Sequence, residues 1–279
     1  MTLFEQNVKG GSSIQLLLLK YTVYAGQTTI DGAPKDIYGN ASGNQYDLVA
    51  DGTFKGMKIL IMQFYQFDLV PVVNALKAKG FEITILSVLP GVIEFQKLLD
   101  ASSQLWIISS STVNITGEYL QAIEFFFESG KGLYLWGDND PYYADANVIS
   151  RKLWGIEQHG NLPGGVVVHA QESPDIENLA ATAKKGFFPH LITTGLEFLF
   201  EGITISTIQI TSSSNLQPLV RGSAGNLLTV VYDYDGKRAV IDGGFTRLYC
   251  QWDGAGTGRY VKNAAAWLVN YERFYATYQ

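Results

Sequence analysis

Lys58-Ile59-Leu60-Ile61-Met62-Gln63 is a short, almost continuous apolar run. That is the pattern of a strand buried on both faces of a parallel sheet. After it, Leu69, Val72, Val73 and Leu76 recur at helical spacing until Gly80 stops the helix. The unit then repeats. Ile83-Thr84-Ile85-Leu86 predicts a second strand, a short helical stretch covers Ile93 to Leu99, and Leu105-Trp106-Ile107-Ile108 predicts a third strand. Thr116 can cap a helix carrying Leu120, Ile123, Phe126 and Phe127, which Gly130 ends. Leu133-Tyr134-Leu135-Trp136 is the fourth strand, followed by a helix from Pro141 to about Leu153. Strands alternating with helices in this way make βαβ units, so the chain is α/β, with a mostly parallel sheet and helices on both faces.

Beyond Gly155 the rhythm loosens. Gly165 to His169 and Ile203 to Ile210 have strand character. Leu227 to Tyr232, the turn Asp233-Tyr234-Asp235-Gly236, and Arg238 to Ile241 predict a hairpin. A last helix is expected from about Arg259 to Tyr271, burying Val261, Ala265 and Leu268. Residues 1–56 stand apart from residues 57–279 as a β-rich N-terminal extension. Ile14 to Tyr24 has strand composition, and Thr28 to Phe54 is dense in turn residues. This stretch reads either as a hairpin packed on its own domain or as an arm that adds a strand to a neighbour. On the second reading Leu16, Leu18, Tyr21 and Tyr24 are the candidate assembly residues.

Charged residues are 16 % of the chain, against about 25 % in a typical soluble domain. Aromatics make up 13 %. A surface so poor in charge is weakly repelled by its own copies, which favours self-association. The net charge of −6 lacks the basic footprint of a nucleic-acid partner. The one cysteine, Cys250, excludes an internal disulfide and a Cys-based zinc site. It reads as a small buried hydrophobe. No apolar run approaches the ~20 residues of a membrane span. Ile14 to Leu19 makes a poor signal sequence because Lys20 breaks it, so a cytoplasmic protein is the expectation.

Gly132-Leu-Tyr-Leu-Trp-Gly-Asp-Asn-Asp-Pro-Tyr-Tyr143 resembles a segment of the class I glutamine amidotransferase-like superfamily. The likeness is to its non-catalytic branches, the ThuA-like proteins and the GIFT-type domain. Further segments in the same order are Pro189-His190-Leu-Ile-Thr-Thr-Gly195, Pro218-Leu219-Val220, Lys237-Arg-Ala-Val-Ile-Asp-Gly-Gly244 and Asn263-Ala-Ala-Ala-Trp-Leu268. The resemblance covers about Met57 to Tyr271 and leaves the extension outside. It implies a flavodoxin-like sheet with a reactive centre at a sharp strand-to-helix elbow. In catalytic members that elbow holds a cysteine, activated by a histidine after a late strand and an acid two residues on. Here those positions fall on Asp138, Asp242 and Gly244. A carboxylate is a poor nucleophile toward an amide, so amidotransferase chemistry is not expected.

Asp138, Asn139, Asp140 and Asp242 should converge at the carboxyl ends of adjacent strands, where open α/β sheets bind ligands. They could hold a hard cation, with Asp138 and Asp242 as its ligands. The alternative is structural. Asp140 would cap a helix with Pro141 at its first position, while Asp138 and Asp242 accept bonds from tight-turn amides. Gly254-Ala-Gly-Thr-Gly-Arg259 is neither a P-loop nor a Rossmann fingerprint, and Thr257 reads as a helix cap. Arg247, Tyr249, Trp252 and Arg259 are placed on the same rim, to stack on a sugar or peptide or to line a contact between protein chains. His190 reads as a structural hydrogen-bonding group.

Two functions follow. One is a non-catalytic scaffold that self-associates into a homo-oligomer or filament, or binds another protein, with the extension contributing. The other is a metal-assisted hydrolase or a carbohydrate-like ligand binder using the acidic elbow. Neither requires a cofactor, a nucleic acid or a membrane.

Overall fold

The structure, a computed structural model, describes residues 51–170, 186–211, 214–252 and 256–270. The first half alternates strand and helix: β1 (Lys58–Gln63), α1 (Val70–Ala78), β2 (Glu82–Leu86) and α2 (Val92–Ala101). It continues through β3 (Gln104–Ile108), α3 (Gly117–Glu128), β4 (Gly132–Trp136) and α4 (Ala144–Trp154). Strands dominate thereafter: β5 (Glu157–Pro163), β6 (Val167–His169), β7 (Gly186–Phe187), β8 (Phe198–Phe200) and β9 (Thr204–Gln209). The hairpin region holds β10 (Leu216–Arg221), β11 (Leu227–Tyr234) and β12 (Lys237–Asp242). A 3-10 turn at Phe245–Leu248 and helix α5 (Thr257–Leu268) complete the described elements.

Eight strands form one sheet in the order β2-β1-β3-β4-β12-β11-β10-β7. The first five run parallel, and the remaining pairings are antiparallel. With β12 as the fifth parallel strand, the order is the 2-1-3-4-5 of a flavodoxin-like fold. Alternate side chains leave each strand on opposite faces. Ile59, Ile61, Trp106, Ile108, Tyr134 and Trp136 pack with α1 and α5. Leu60, Met62, Leu105, Ile107, Leu133 and Leu135 pack with α2, α3 and α4. Both faces are therefore covered by helices, as the apolar strand runs require. Two further two-stranded ladders, β5 with β9 and β6 with β8, flank the main sheet.

The hairpin turn is tighter than the sequence predicts. β11 extends to Tyr234, leaving Asp235 (φ 52°) and Gly236 (φ 66°) as a two-residue loop. Positive φ at both positions is what the twist of a two-residue hairpin demands, and Asp-Gly supplies it. Gly132 is required for a different reason. A Cβ there would lie 2.4 Å from the Leu268 carbonyl oxygen and 2.8 Å from the Leu268 Cβ. Gly132→Ala should thus push α5 off the sheet, at a cost of about 1–3 kcal/mol or more. Urea unfolding that gave the variant wild-type stability would contradict this packing.

Several local expectations are corrected. Helix α4 begins at Ala144, and the carbonyl of Tyr143 accepts the Asn147 amide at 2.9 Å. Pro141 lies in the preceding turn, where the Asn139 carbonyl accepts the Tyr142 amide, so Asp140 caps nothing. Thr257 is the first residue of α5 rather than its cap. The cap position is Gly256, and the buried Thr257 hydroxyl has no hydrogen-bond partner. The same helix ends at Leu268, and just beyond it Asn270 (φ 53°) donates its side-chain amide to the carbonyls of Gly130 and Gly236. Strand β10 carries Pro218, which a regular central strand excludes, and its register with β11 shifts there. Leu16, Leu18, Tyr21 and Tyr24 lie outside the described residues.

Residues 51–56 of the extension join the α/β body. Phe54 is buried and its ring stacks on Phe81 at 4.5 Å. The amides of Gly52 and Phe54 donate to the carbonyls of Ala78 and Lys79, each at 2.8 Å. Among the described residues no helix is long and apolar enough to cross a membrane.

Candidate functional site

β4 and β12 are neighbours in parallel register, with Trp136 opposite Asp242. Their carboxyl ends therefore bring Asp138 and Asp242 to one place. Two backbone hydrogen bonds tie the strand ends together: the Gly137 amide donates to the Asp242 carbonyl at 2.8 Å, and the Phe245 amide to the Gly137 carbonyl at 2.9 Å. The two carboxyl groups then have opposite fates.

Asp242 is fully buried and engaged through both of its oxygens. Its Oδ1 accepts the Gly244 amide at 3.0 Å and faces the Arg247 guanidinium at 3.2 Å. Its Oδ2 accepts the Tyr260 hydroxyl at 2.8 Å, and Tyr260 in turn accepts the Tyr134 hydroxyl at 3.2 Å. Arg247 also donates to the carbonyls of Gly244 and Glu201 and lies over the Tyr260 ring. Burial works against its charge, yet Asp242 together with Tyr260, Tyr134 and Glu201 outweighs it, and the Arg247 pKa ends up raised. Burial likewise pushes both tyrosines well above their ordinary value. Asp242 thus accepts a tight-turn amide, and a buried cation besides.

Asp138 is almost as deeply buried, at 2 % exposure, but its Oδ1 has no hydrogen-bond partner. Burial pushes its carboxyl up to about 8, against the downward pull of the Asn139 backbone amide and the Arg247 charge; Asp242 adds to the rise. At neutral pH the group is held as a neutral acid, able to donate a hydrogen bond. Asn139 faces the second ladder, its Oδ1 accepting the Thr204 hydroxyl at 2.7 Å. Asp140 is exposed and accepts the Tyr143 hydroxyl at 2.8 Å.

Arg247 is wholly buried, and Arg259 is 2 % exposed, so neither stands on the rim where the sequence placed them. The cause for Arg247 is the 3-10 turn after β12, which directs it inward to neutralise Asp242. Trp252 is half-buried against Gly258 at the start of α5. Tyr249 does reach the surface, at 37 % exposure. Cys250 is half-exposed rather than buried, with its thiol pushed up by partial burial and by Asp138. His190 accepts the Ile192 amide at 3.1 Å, a structural hydrogen bond, and burial lowers its pKa to about 3.

An aromatic cluster unforeseen in the sequence stands on this end of the sheet. Tyr65 meets Tyr142 at 5.1 Å and Phe245 at 5.2 Å, while Phe67 meets Phe245 at 5.8 Å and Tyr249 at 4.5 Å. Its signal is Tyr65 and Phe67, two aromatics at alternate positions directly after β1. Tyr65, Phe67 and Tyr142 are each partly exposed.

A hard cation is poorly served here. Among the described residues no three or more His, Cys, Asp or Glu side chains come together. Asp242 already accepts the Gly244 amide and the Tyr260 hydroxyl and is paired with Arg247, which leaves it little charge for a cation.

Neither a protein-family model nor a curated protein matches the chain. Among solved structures it is similar to a ThuA-like protein from Bacteroides uniformis, at 15 % identity over 77 % of this chain and 91 % of that one, TM-score 0.49. It is also similar to a GMP synthase protein from Thermoplasma acidophilum, at 8 % identity over 76 % of this chain and 95 % of that one, TM-score 0.42. PurLQS from Thermotoga maritima matches at 11 % identity over 77 % of this chain and 99 % of that one, TM-score 0.40.

Proposed function

We propose that the protein is a non-catalytic, amidotransferase-like scaffold that works by self-association. The observation that carries this reading is the state of Asp242. The position where the resemblance implies a catalytic base holds a carboxylate whose oxygens are spent on Arg247, Gly244 and Tyr260. A group so engaged, and wholly buried, braces the fold and lies out of a substrate's reach. The low charge and the N-terminal extension support association as the purpose of the surface.

Light scattering on the full chain tests it. The expected mass is a multiple of 30.7 kDa, falling to 30.7 kDa when Leu16→Lys and Leu18→Lys are introduced together, with the circular dichroism unchanged. A wild-type chain that stays at 30.7 kDa at every concentration would count decisively against self-association.

A second reading has one specific observation in its favour, the Asp138 acid whose Oδ1 has no hydrogen-bond partner, close to Tyr249 and Cys250. A neutral donor beside partly exposed aromatic rings suits an uncharged, hydroxyl-bearing ligand that stacks. Calorimetry with a panel of neutral sugars checks it: heat that disappears in Phe67→Ala supports a site here, and silence across the panel removes it.

A further inference from the structure

We propose that the free edge of β2 is the docking strand of the assembly, and that it receives residues 14–24 of a second copy of this chain as an added strand. The inference rests on the self-association reading and says where the contact is made.

β2 is the outermost strand on its side of the sheet and, among the described residues, is hydrogen-bonded to β1 alone. None of its five residues is buried, whereas β3 and β4 are buried throughout. Ile85 is 39 % exposed. In the connection that follows and at the start of α2, Val88 and Ile93 are 74 % and 76 % exposed. Soluble proteins ordinarily protect such an edge with charge, proline or a covering element. Here Glu82 is the one charge on the strand, and it lies at its first residue, paired with Lys58. The opposite edge of the sheet, β7, is two buried residues long. The outward amides and carbonyls of β2 are therefore the longer template for strand addition.

The occupant is indicated by where the chain outside the described residues begins. Asp51 is held by Lys79 at 2.7 Å, Phe54 stacks on Phe81, and the Met57 carbonyl accepts the Glu82 amide at 2.8 Å. The first described residue is thus held at the end of α1, three residues before β2. Upstream, Ile14-Gln-Leu-Leu-Leu-Leu-Lys-Tyr-Thr-Val-Tyr24 is the apolar, β-prone segment of the extension. Folding it back onto its own β2 would take a connection of only a few residues. Residues 25–50 instead allow a reach of roughly 90 Å when extended, a span suited to a neighbouring molecule. Main-chain pairing would supply the affinity, and Ile85, Val88 and Ile93 the apolar surface covered on docking.

Cross-linking between full-length chains tests this. Two differently tagged chains are made in a Cys250→Ser background, one with Leu18→Cys and the other with Ile85→Cys, mixed, and treated with a short bis-maleimide. The expected product is a cross-linked dimer carrying both tags, absent when the Ile85→Cys chain is treated alone. Ile85→Lys should also lower the assembled mass with no change in circular dichroism. A chain carrying both cysteines that links only within itself would overturn the proposal, since the segment then covers its own β2. An assembly of unchanged mass that gives no link also overturns it, while leaving self-association standing. A chain that is monomeric throughout removes both readings together.

Discussion

Asp138→Asn should make the protein more stable at neutral and alkaline pH, with an advantage that grows as the pH rises. The folded-state pKa of Asp138 is about 8 against an ordinary 3.8, so the native state keeps a proton that the unfolded chain releases from about pH 4 upward. Stability falls wherever the native state binds more protons than the unfolded one. The wild type therefore loses stability between about pH 4 and about pH 8, and the loss is complete above that window. A displacement of this size corresponds to on the order of 5 kcal/mol. The substituted amide has no proton to lose and nearly the same shape, so the stability of the variant should lack this slope. Tyr249 and Cys250, which Asp138 helps to push up, titrate above that window, so the slope within it is that of Asp138. Urea unfolding of both chains across that pH range measures it. A difference between the two that is independent of pH would show that Asp138 ionises normally in the fold. A buried acid that costs this much is rarely kept for packing alone, which is why the elbow remains the place to search for a ligand.

The parallel layers were legible because the physics that makes them is local. A strand covered on both faces must be apolar at consecutive positions, and Ile59 to Met62, Leu105 to Ile108 and Leu133 to Trp136 meet that condition and form β1, β3 and β4. The convergence of Asp138 and Asp242 was legible too, since one follows and the other ends strands that the resemblance makes neighbours. The inward turn of Arg247 was not. Five residues on from Asp242, it meets solvent or the carboxylate according to the 3-10 turn alone. Tyr134 and Tyr260 read as ordinary core aromatics, because nothing in the chain announces that two hydroxyls 126 residues apart will meet. In the flanking ladders β5–β9 and β6–β8, β6 and β9 were legible as strands, but their partners were not. Their pairing is long-range, and Glu157 to Pro163 contains glycine, asparagine and proline that argue against a strand until Ile205 and Ile208 cover it.

Arg247→Met should be the most damaging substitution in the body of the protein. Arg247 and Asp242 are both fully buried and lie 3.2 Å apart, so removing the guanidinium leaves a carboxylate inside the fold with no opposite charge. Breaking a buried pair in this way costs about 3–5 kcal/mol, a large part of the roughly 5–15 kcal/mol that holds a domain folded. Asp242→Asn should be milder. The asparagine Oδ1 can still accept from the guanidinium, which also keeps the carbonyls of Gly244 at 3.2 Å and Glu201 at 3.0 Å, whereas methionine offers the buried carboxylate no donor in place of the one removed. The double variant removes both charges, so its loss should fall short of the sum of the single losses by more than about 1 kcal/mol. Chemical denaturation of the four proteins reads this coupling directly. Additive losses, or an Arg247→Met cost below about 1 kcal/mol, would mean that the pair is solvated and does not brace the end of β12. The same cycle bears on function. If Asp242 served a substrate, its replacement would abolish an activity whatever residue stood at 247. If it serves the fold, restoring charge balance inside the network should recover stability and assembled mass together.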